Sequence, residues 1–186
     1  MSTKLSAVIF DYGDVISTPQ DRFRQQSMCD AAGLKRNVFE ELYYRFRVDY
    51  DRGSIDGDEY WKRILCSGGV EANDQLVEYL IRQDILSWTG VDQRVLDWAW
   101  RIAEQGLMIG ILSNMPHDEL EYFRVEFEWF GRFDVAVFSC EVGSVKPETQ
   151  IYERLLREVN VPPDEVLFLD DRSENVEAAR CIGSRH

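Results

Sequence analysis

Four short apolar runs, with helical patterns between them, constrain the fold of this chain more than any other feature. The runs are Leu5–Phe10, Leu107–Leu112, Val135–Phe138 and Val166–Leu169. Short apolar runs without polar alternation are typical of strands that are buried on both faces of a parallel sheet. Strands that alternate with helices predict an α/β protein with a doubly wound, Rossmann-like parallel sheet. In such sheets the ligand binds beyond the carboxyl ends of the strands.

The helices of this sheet can be placed from apolar residues that recur with helical spacing. They are expected at Val91–Gln105, about 117–130, Glu148–Val159 and Ser173–Cys181. Each of the last three follows an apolar run, which agrees with strand–helix alternation.

The stretch from 18 to 88 differs from the rest because it contains no convincing strand and is too long for a simple connection. It predicts helices at Gln20–Ala32, Asn37–Asp51, Asp56–Cys66 and Asn73–Leu86. We therefore expect an α/β core made of residues 1–17 and 89–186. We expect a helical cap, inserted at 18–88, over the catalytic edge of the sheet.

Charge and composition limit the partners of the chain. Its formal net charge is −13, which argues against nucleic acid and anionic membranes, because their phosphates attract basic surfaces. No apolar run has the length of a membrane span, and the N-terminal residues lack the apolar region of a signal peptide. The four cysteines are widely spaced, which favours reduced thiols over disulfides or a zinc site. We therefore expect a cytoplasmic protein; its oligomeric state is left open.

Polar side chains that can carry chemistry follow all four apolar runs. Asp11 follows the first, and there it can be a turn residue, a metal ligand or a nucleophile. Ser113-Asn114 at the second can cap a helix or donate to phosphate. The simplest interpretation of Lys146, which precedes Pro147, is a solvated surface residue. Asp170-Asp171 at the fourth is more telling, because adjacent carboxylates repel each other unless a cation or hydrogen bonds compensate them.

Together these residues resemble the four motifs of the haloacid dehalogenase superfamily, in the same order and at the same strand ends. The resemblance covers residues 5–16 and 107–182 and lies in the stretches VIFDYGDVI, GILSNMP, GSVKPETQIYERLL and VLFLDDRSENVEAARCIG. The helical insert is similar to the smaller, all-helical cap of that superfamily. The resemblance implies a magnesium-dependent hydrolase, most simply a phosphatase of small phosphate monoesters such as a sugar phosphate.

The resemblance also implies a role for each motif residue. Asp11 is the nucleophile that becomes phosphorylated. Mg²⁺ bridges the Asp11 carboxylate, the Gly13 carbonyl, Asp171 and a phosphate oxygen, with Asp170 in or near its coordination shell. The phosphoryl group is held by Ser113, Asn114 and Lys146. The chemistry agrees, because an anion that attacks a phosphate needs cations around it.

The chain departs from the superfamily pattern at Gly13. Phosphatases of this kind have a second aspartate there, which protonates the leaving group, and such help is worth ~100- to 10,000-fold in rate. The carboxylate nearest in sequence, Asp14, is interpreted as a turn residue. Two alternatives follow, a catalytically weak or inactive protein that binds a phosphorylated ligand, and a 2-haloacid dehalogenase. A receiver domain is disfavoured because such domains are shorter and lack the insert.

A second departure lies after the last helix. The superfamily usually continues there into one more short strand, whereas this sequence ends at Gly183-Ser184-Arg185-His186.

Overall fold

The computed structural model of the protein describes residues 4–185. The expectations for residues 1–3 and for His186 therefore lie outside the described residues. The strands are β1 (Ala7–Phe10), β2 (Met108–Ser113), β3 (Val135–Phe138) and β4 (Val166–Leu169). The α-helices are α1 (Arg22–Ala31), α2 (Arg36–Asp51), α3 (Gly57–Ser67), α4 (Asp74–Ser87), α5 (Gln93–Glu104), α6 (His117–Glu126), α7 (Ser139–Val142), α8 (Thr149–Val159) and α9 (Ser173–Cys181).

The four strands form one parallel sheet in the order β3-β2-β1-β4. The first strand therefore lies inside the sheet, between β2 and β4, and the predicted α/β fold with a parallel sheet is confirmed. The sheet pairs Phe10 with Ile111 and Leu169, so the chain leaves β1, β2 and β4 at the same edge. Residues that follow these strands are brought together there.

The alternation of side chains along β1 divides the core between the two faces of the sheet. Val8 and Phe10 point into one apolar cluster, which α5 and α6 complete. Ala7 and Ile9 point into the other cluster, which α8 and α9 complete. Both faces of the central strand are therefore covered, as its unbroken apolar sequence requires.

Residues 18–88 form the helices α1–α4, which share an apolar cluster of their own around Tyr43, Tyr60 and Trp61. We call this segment the helical insert; within it the structure describes no paired strands. The chain enters and leaves the insert at adjacent points, because Ser17 and Val91 form an antiparallel bridge. The amide of Thr18 donates to the carbonyl of Gly90 at 3.0 Å beside this bridge.

Helix ends differ from the sequence prediction where caps or backbone turns intervene. The side chain of Asp21 caps α1, so this helix begins at Arg22 rather than at Gln20. The helix predicted at 117–130 ends at Glu126, where Phe127 leaves helical geometry, and a 3₁₀ turn follows at Glu128–Arg132. The short α7 was not predicted, because four residues carry too little periodicity.

Three further features concern the expectations on the last strand, the cysteines and membrane spans. Arg185 forms a parallel bridge with Leu167, so the chain after α9 lies against β4 at the edge of the sheet. All four cysteines are free thiols. Among residues 4–185, no helix combines the length and the apolar character that crossing a bilayer demands.

Candidate active site

Asp11 lies at the carboxyl end of β1, and the backbone turns sharply after it. Its carboxylate oxygen Oδ1 accepts from the amide of Tyr12 at 2.7 Å and lies 2.8 Å from Nζ of Lys146. Burial raises the pKa of Asp11 to about 6, while the Lys146 ammonium acts in the opposite direction. The turn at Tyr12–Ile16 contains Asp14 in the left-handed region, with φ 54°. This conformation supports the interpretation of Asp14 as a turn residue, since aspartate tolerates it.

Lys146 lies between two carboxylates in the floor of the site. Its Nζ is 2.8 Å from Asp11 and 2.6 Å from Asp170, and only 1% of its side chain is exposed. A surface role for this lysine is therefore excluded. A buried ammonium held by two carboxylates is well placed to face an anionic group beside Asp11.

Asn114 holds the backbone that carries Lys146. Its side-chain oxygen accepts from the Lys146 amide at 2.7 Å, and its side-chain nitrogen donates to the Lys146 carbonyl at 3.1 Å. The side-chain amide of Asn114 therefore positions Lys146. The sequence did not reveal this role. Its contact with phosphate stays a prediction. Ser113 is buried at the end of β2 and lines the same cavity as Asp11.

Asp170 and Asp171 follow β4 and have different surroundings. Both oxygens of Asp170 have partners, Lys146 on Oδ2 and, on Oδ1, the amide of Arg172 at 2.9 Å and the side chain of Asn175 at 2.8 Å. Asp171 is the more exposed of the two. Partial burial and the neighbouring Asp170 raise the pKa of Asp171.

The donor set at this edge fits Mg²⁺. Asp11, Asp170 and Asp171 each offer a carboxylate oxygen, and these oxygens lie within 4.8 Å of one another. Ligands on opposite sides of Mg²⁺ are ~4.2 Å apart, because each contact is ~2.1 Å long. The hydrogen bonds of Asp170 favour Asp11 and Asp171 as the direct ligands. The Gly13 carbonyl stays a predicted ligand.

A cavity of about 270 Å³ lies above these residues, and the helical insert forms part of its wall. The insert contributes Tyr43, Tyr44, Arg47, Asp51 and Trp88 to its wall. The remaining lining residues are Asp11, Tyr12, Gly13, Asp14, Ser113, Asn114, Met115, Glu119, Lys146, Asp171, Arg172 and Asn175. The cavity therefore joins the predicted nucleophile to side chains that the sequence could not assign.

Arg47, Asp51 and Glu119 are the charged lining residues that the motifs did not indicate. Arg47 lies 2.7 Å from Asp51 and 2.8 Å from Glu119, which joins the insert to α6. The insert also holds Arg22, Arg24 and Arg45, and the sequence does not show which of its arginines faces the cavity. Only packing of α2 on the core decides which of them faces the cavity.

Comparison with known proteins adds relatives to this geometry. A family model described as haloacid dehalogenase-like hydrolase matches residues 5–183. The sesquiterpene phosphatase astK of Aspergillus oryzae is 27% identical, over 98% of this chain and 89% of its own length. Bifunctional epoxide hydrolase 2 of Sus scrofa is 41% identical, over 96% of this chain and 35% of its own length.

A solved structure matches over nearly the whole chain. The HAD family enzyme bt-2542 of Bacteroides thetaiotaomicron, in a magnesium complex, superposes with a TM-score of 0.79 at 19% identity. The match covers 98% of this chain and 92% of that one. Some curated relatives are much longer, and this chain spans only about a third of their length.

Proposed function

The chain belongs to the haloacid dehalogenase-like hydrolase family, and on that premise we propose that it is a phosphatase of small phosphate monoesters. The observation that carries this proposal is the pairing of Asp11 with the buried Lys146 in a cavity that Ser113 and Asp171 also line. A carboxylate nucleophile, a buried cation and hydrogen-bond donors are the groups that phosphoryl transfer requires.

In the proposed reaction Asp11 acts as the nucleophile. Its carboxylate attacks phosphorus, the bond to the leaving oxygen breaks, and a phosphoaspartate forms. Water then attacks the phosphorus, which releases inorganic phosphate and restores Asp11. Covalent capture divides one difficult displacement into two easier ones. Lys146 offsets the negative charge that gathers around the phosphoryl oxygens, and Ser113 and Asn114 donate to them.

Mg²⁺, held by Asp11, Asp171 and the Gly13 carbonyl with Asp170 beside them, would neutralise charge on the phosphoryl group when bound. The cations that line the cavity already have anionic partners, as Arg47 has with Asp51. Lys146 is already shared between two carboxylates, and Arg172 pairs with Glu174.

We propose that the helical insert is a cap that selects the substrate. It supplies Tyr43, Tyr44, Arg47 and Asp51 to the roof of the cavity, and a volume of about 270 Å³ suits a small leaving group such as a sugar. We place the reaction in the cytoplasm, which the four free thiols support.

The test is release of nitrophenol from p-nitrophenyl phosphate, with and without Mg²⁺, followed by a screen of phosphorylated metabolites. Wild-type protein should turn over only with the metal, and Asp11→Asn should be inactive. Turnover that survives in Asp11→Asn would contradict the assigned nucleophile.

Gly13 supports a second candidate, a protein that binds a phosphorylated ligand without hydrolysing it. Calorimetry with the same phosphorylated metabolites separates the two, since a binder gives heat of association but no inorganic phosphate. The dehalogenase alternative is disfavoured by the surroundings of Arg47. This is the insert arginine that lines the cavity, and its guanidinium already binds three carboxylates rather than facing a halide.

A further inference from the structure

A buried cluster of one arginine and three carboxylates lies beside the cavity, and three of its four residues line it. Nε of Arg47 is 2.7 Å from Asp51, NH1 is 3.1 Å from Asp84, and NH2 is 2.8 Å from Glu119. The exposed fraction of these side chains is 14% for the arginine and 13%, 1% and 5% for the carboxylates. We call these four residues the Arg47 cluster.

The charges of the Arg47 cluster do not balance if every carboxylate is ionised. One guanidinium compensates one of three negative charges, and like charges at this separation in a dry site disfavour full ionisation. Tyr43 adds a hydrogen bond to Asp84 at 2.6 Å but no charge. The charge imbalance therefore favours a proton on the cluster near neutral pH.

Glu119 is the member of the cluster whose pKa is raised above neutrality. Burial raises its pKa to about 8, with Arg47 opposing and Asp84 and Asp51 adding to the rise. Burial also raises the pKa of Asp51 and of Asp84. The titratable and charged groups that act on Glu119 or respond to it are Arg47 and Asp51 of α2, Asp84 of α4, and the phenols of Tyr12, Tyr43 and Tyr50.

Glu119 also has access to the reaction. It lines the same cavity as Asp11, whereas Asp84 does not. It lies in the first turn of α6, the helix that follows β2, so the core and not the insert fixes its position. Gly13 leaves space in this cavity, because a Cβ placed there would meet no atom within 4 Å.

We propose that Glu119 is the general acid and base of the phosphatase, in the role that Gly13 leaves unfilled. The inference rests on the proposed function. As the bond between Asp11 and phosphorus forms and the bond to the leaving oxygen breaks, the proton of Glu119 passes to that oxygen. The Glu119 carboxylate then takes a proton from water, whose oxygen attacks the phosphoaspartate. Phosphate leaves, and Asp11 and protonated Glu119 are both restored.

The test compares two esters in Glu119→Gln, which keeps the hydrogen bond to Arg47. Nitrophenolate leaves without a proton, whereas an alkoxide such as that of glycerol phosphate needs one. Rapid-quench rates of phosphoenzyme formation should fall ~100-fold or more for glycerol phosphate and under ~10-fold for p-nitrophenyl phosphate. Glu121→Gln, on the exposed face of α6, is the matched control and should change neither rate.

Three outcomes would overturn the proposal. Equal losses on both esters would make Glu119 a structural residue only. A selective loss in Asp51→Asn, without one in Glu119→Gln, would move the acid to Asp51. A wild-type protein that forms no phosphoenzyme with either ester would remove the proposed function, and the acid with it.

The pH profile of the wild-type protein provides a second readout that does not depend on any variant folding. For glycerol phosphate, kcat/KM should fall above a pH of about 8, because the acid has then lost its proton. Phosphoenzyme formation from p-nitrophenyl phosphate should lack that basic limb. A basic limb shared by both esters would contradict the assignment.

Discussion

Replacing Glu119 by glutamine should make the protein more stable at alkaline pH, although it removes one partner of an ion pair. The folded protein raises the pKa of this carboxyl from 4.5 to about 8, chiefly through burial. Folded chains therefore hold a proton that unfolded chains release above a pH of about 4.5. The stability that this proton contributes is fully present below that pH and is lost as the pH rises through about 8.

The magnitude follows from the size of the shift. Each pKa unit corresponds to 1.36 kcal/mol, so a shift of ~3.5 units limits the effect to about 5 kcal/mol. Glutamine mimics the protonated acid in shape and hydrogen bonding. The two proteins should therefore have similar free energies of unfolding at acid pH, and the variant should exceed wild type by several kcal/mol at alkaline pH.

Urea denaturation at a series of pH values from about 5 to 9 measures this difference directly. Groups outside the Arg47 cluster whose pKa is raised, Asp11 among them, affect both proteins alike and cancel in the comparison. Asp51 and Asp84 titrate together with Glu119, so the measured difference belongs to the cluster as a whole. Glu121→Gln should run parallel to wild type. A difference between Glu119→Gln and wild type that stays constant within ~0.5 kcal/mol across the range would refute the reasoning, because Glu119 would then titrate alike in both states.

Three further predictions concern the nucleophile, the metal and the turn. Asp11→Asn should abolish steady-state phosphatase turnover, whereas Asp14→Asn should keep most of it, since asparagine readily adopts φ 54°. A ~100-fold loss of kcat in Asp14→Asn would show that Asp14 is a catalytic acid. EDTA should abolish turnover, and added Mg²⁺ should restore it. Asp171→Asn should raise the Mg²⁺ concentration for half-maximal activity at least ~10-fold. If that concentration is unchanged, Asp171 is not a ligand of the metal. Gly13→Asp should fold with a Tm within a few degrees of wild type, because φ of Gly13 is −63° and a Cβ at this position meets no atom within 4 Å. A fall in Tm of more than ~8 °C would show that the aspartate side chain does not fit at this position.

The sheet could be predicted from the sequence because its strands are buried on both faces. An unbroken apolar run marks such a strand, and β3 and β4 have the predicted bounds. The ends of helices were less predictable, because side-chain caps such as Asp21 determine them. The turn after Asp11 could not be foreseen in detail, since the geometry of Gly13 and Asp14 depends on contacts with Ser17.

The site was predictable where chain order alone brings residues together. Asp11, Ser113 and Asp171 lie at the carboxyl ends of neighbouring parallel strands, so they meet at one edge whatever the loops do. Arg47 and Glu119 were not predictable, because their meeting depends on how α2 packs against α6. Two residues 72 positions apart carry no local pattern that would join them.

The adjacent entry and exit of the helical insert has a consequence for how the fold tolerates change. Because Thr18 and Gly90 are hydrogen bonded, the two ends of the insert lie side by side on the core, as the ends of a closed loop do. The entropy of closing a loop grows only with the logarithm of its length, so exchanging ~70 residues for ~8 would alter that cost by only ~2 kcal/mol. Inserts of very different size can therefore be grafted between the same two strands while the carboxyl edge of the sheet keeps its geometry.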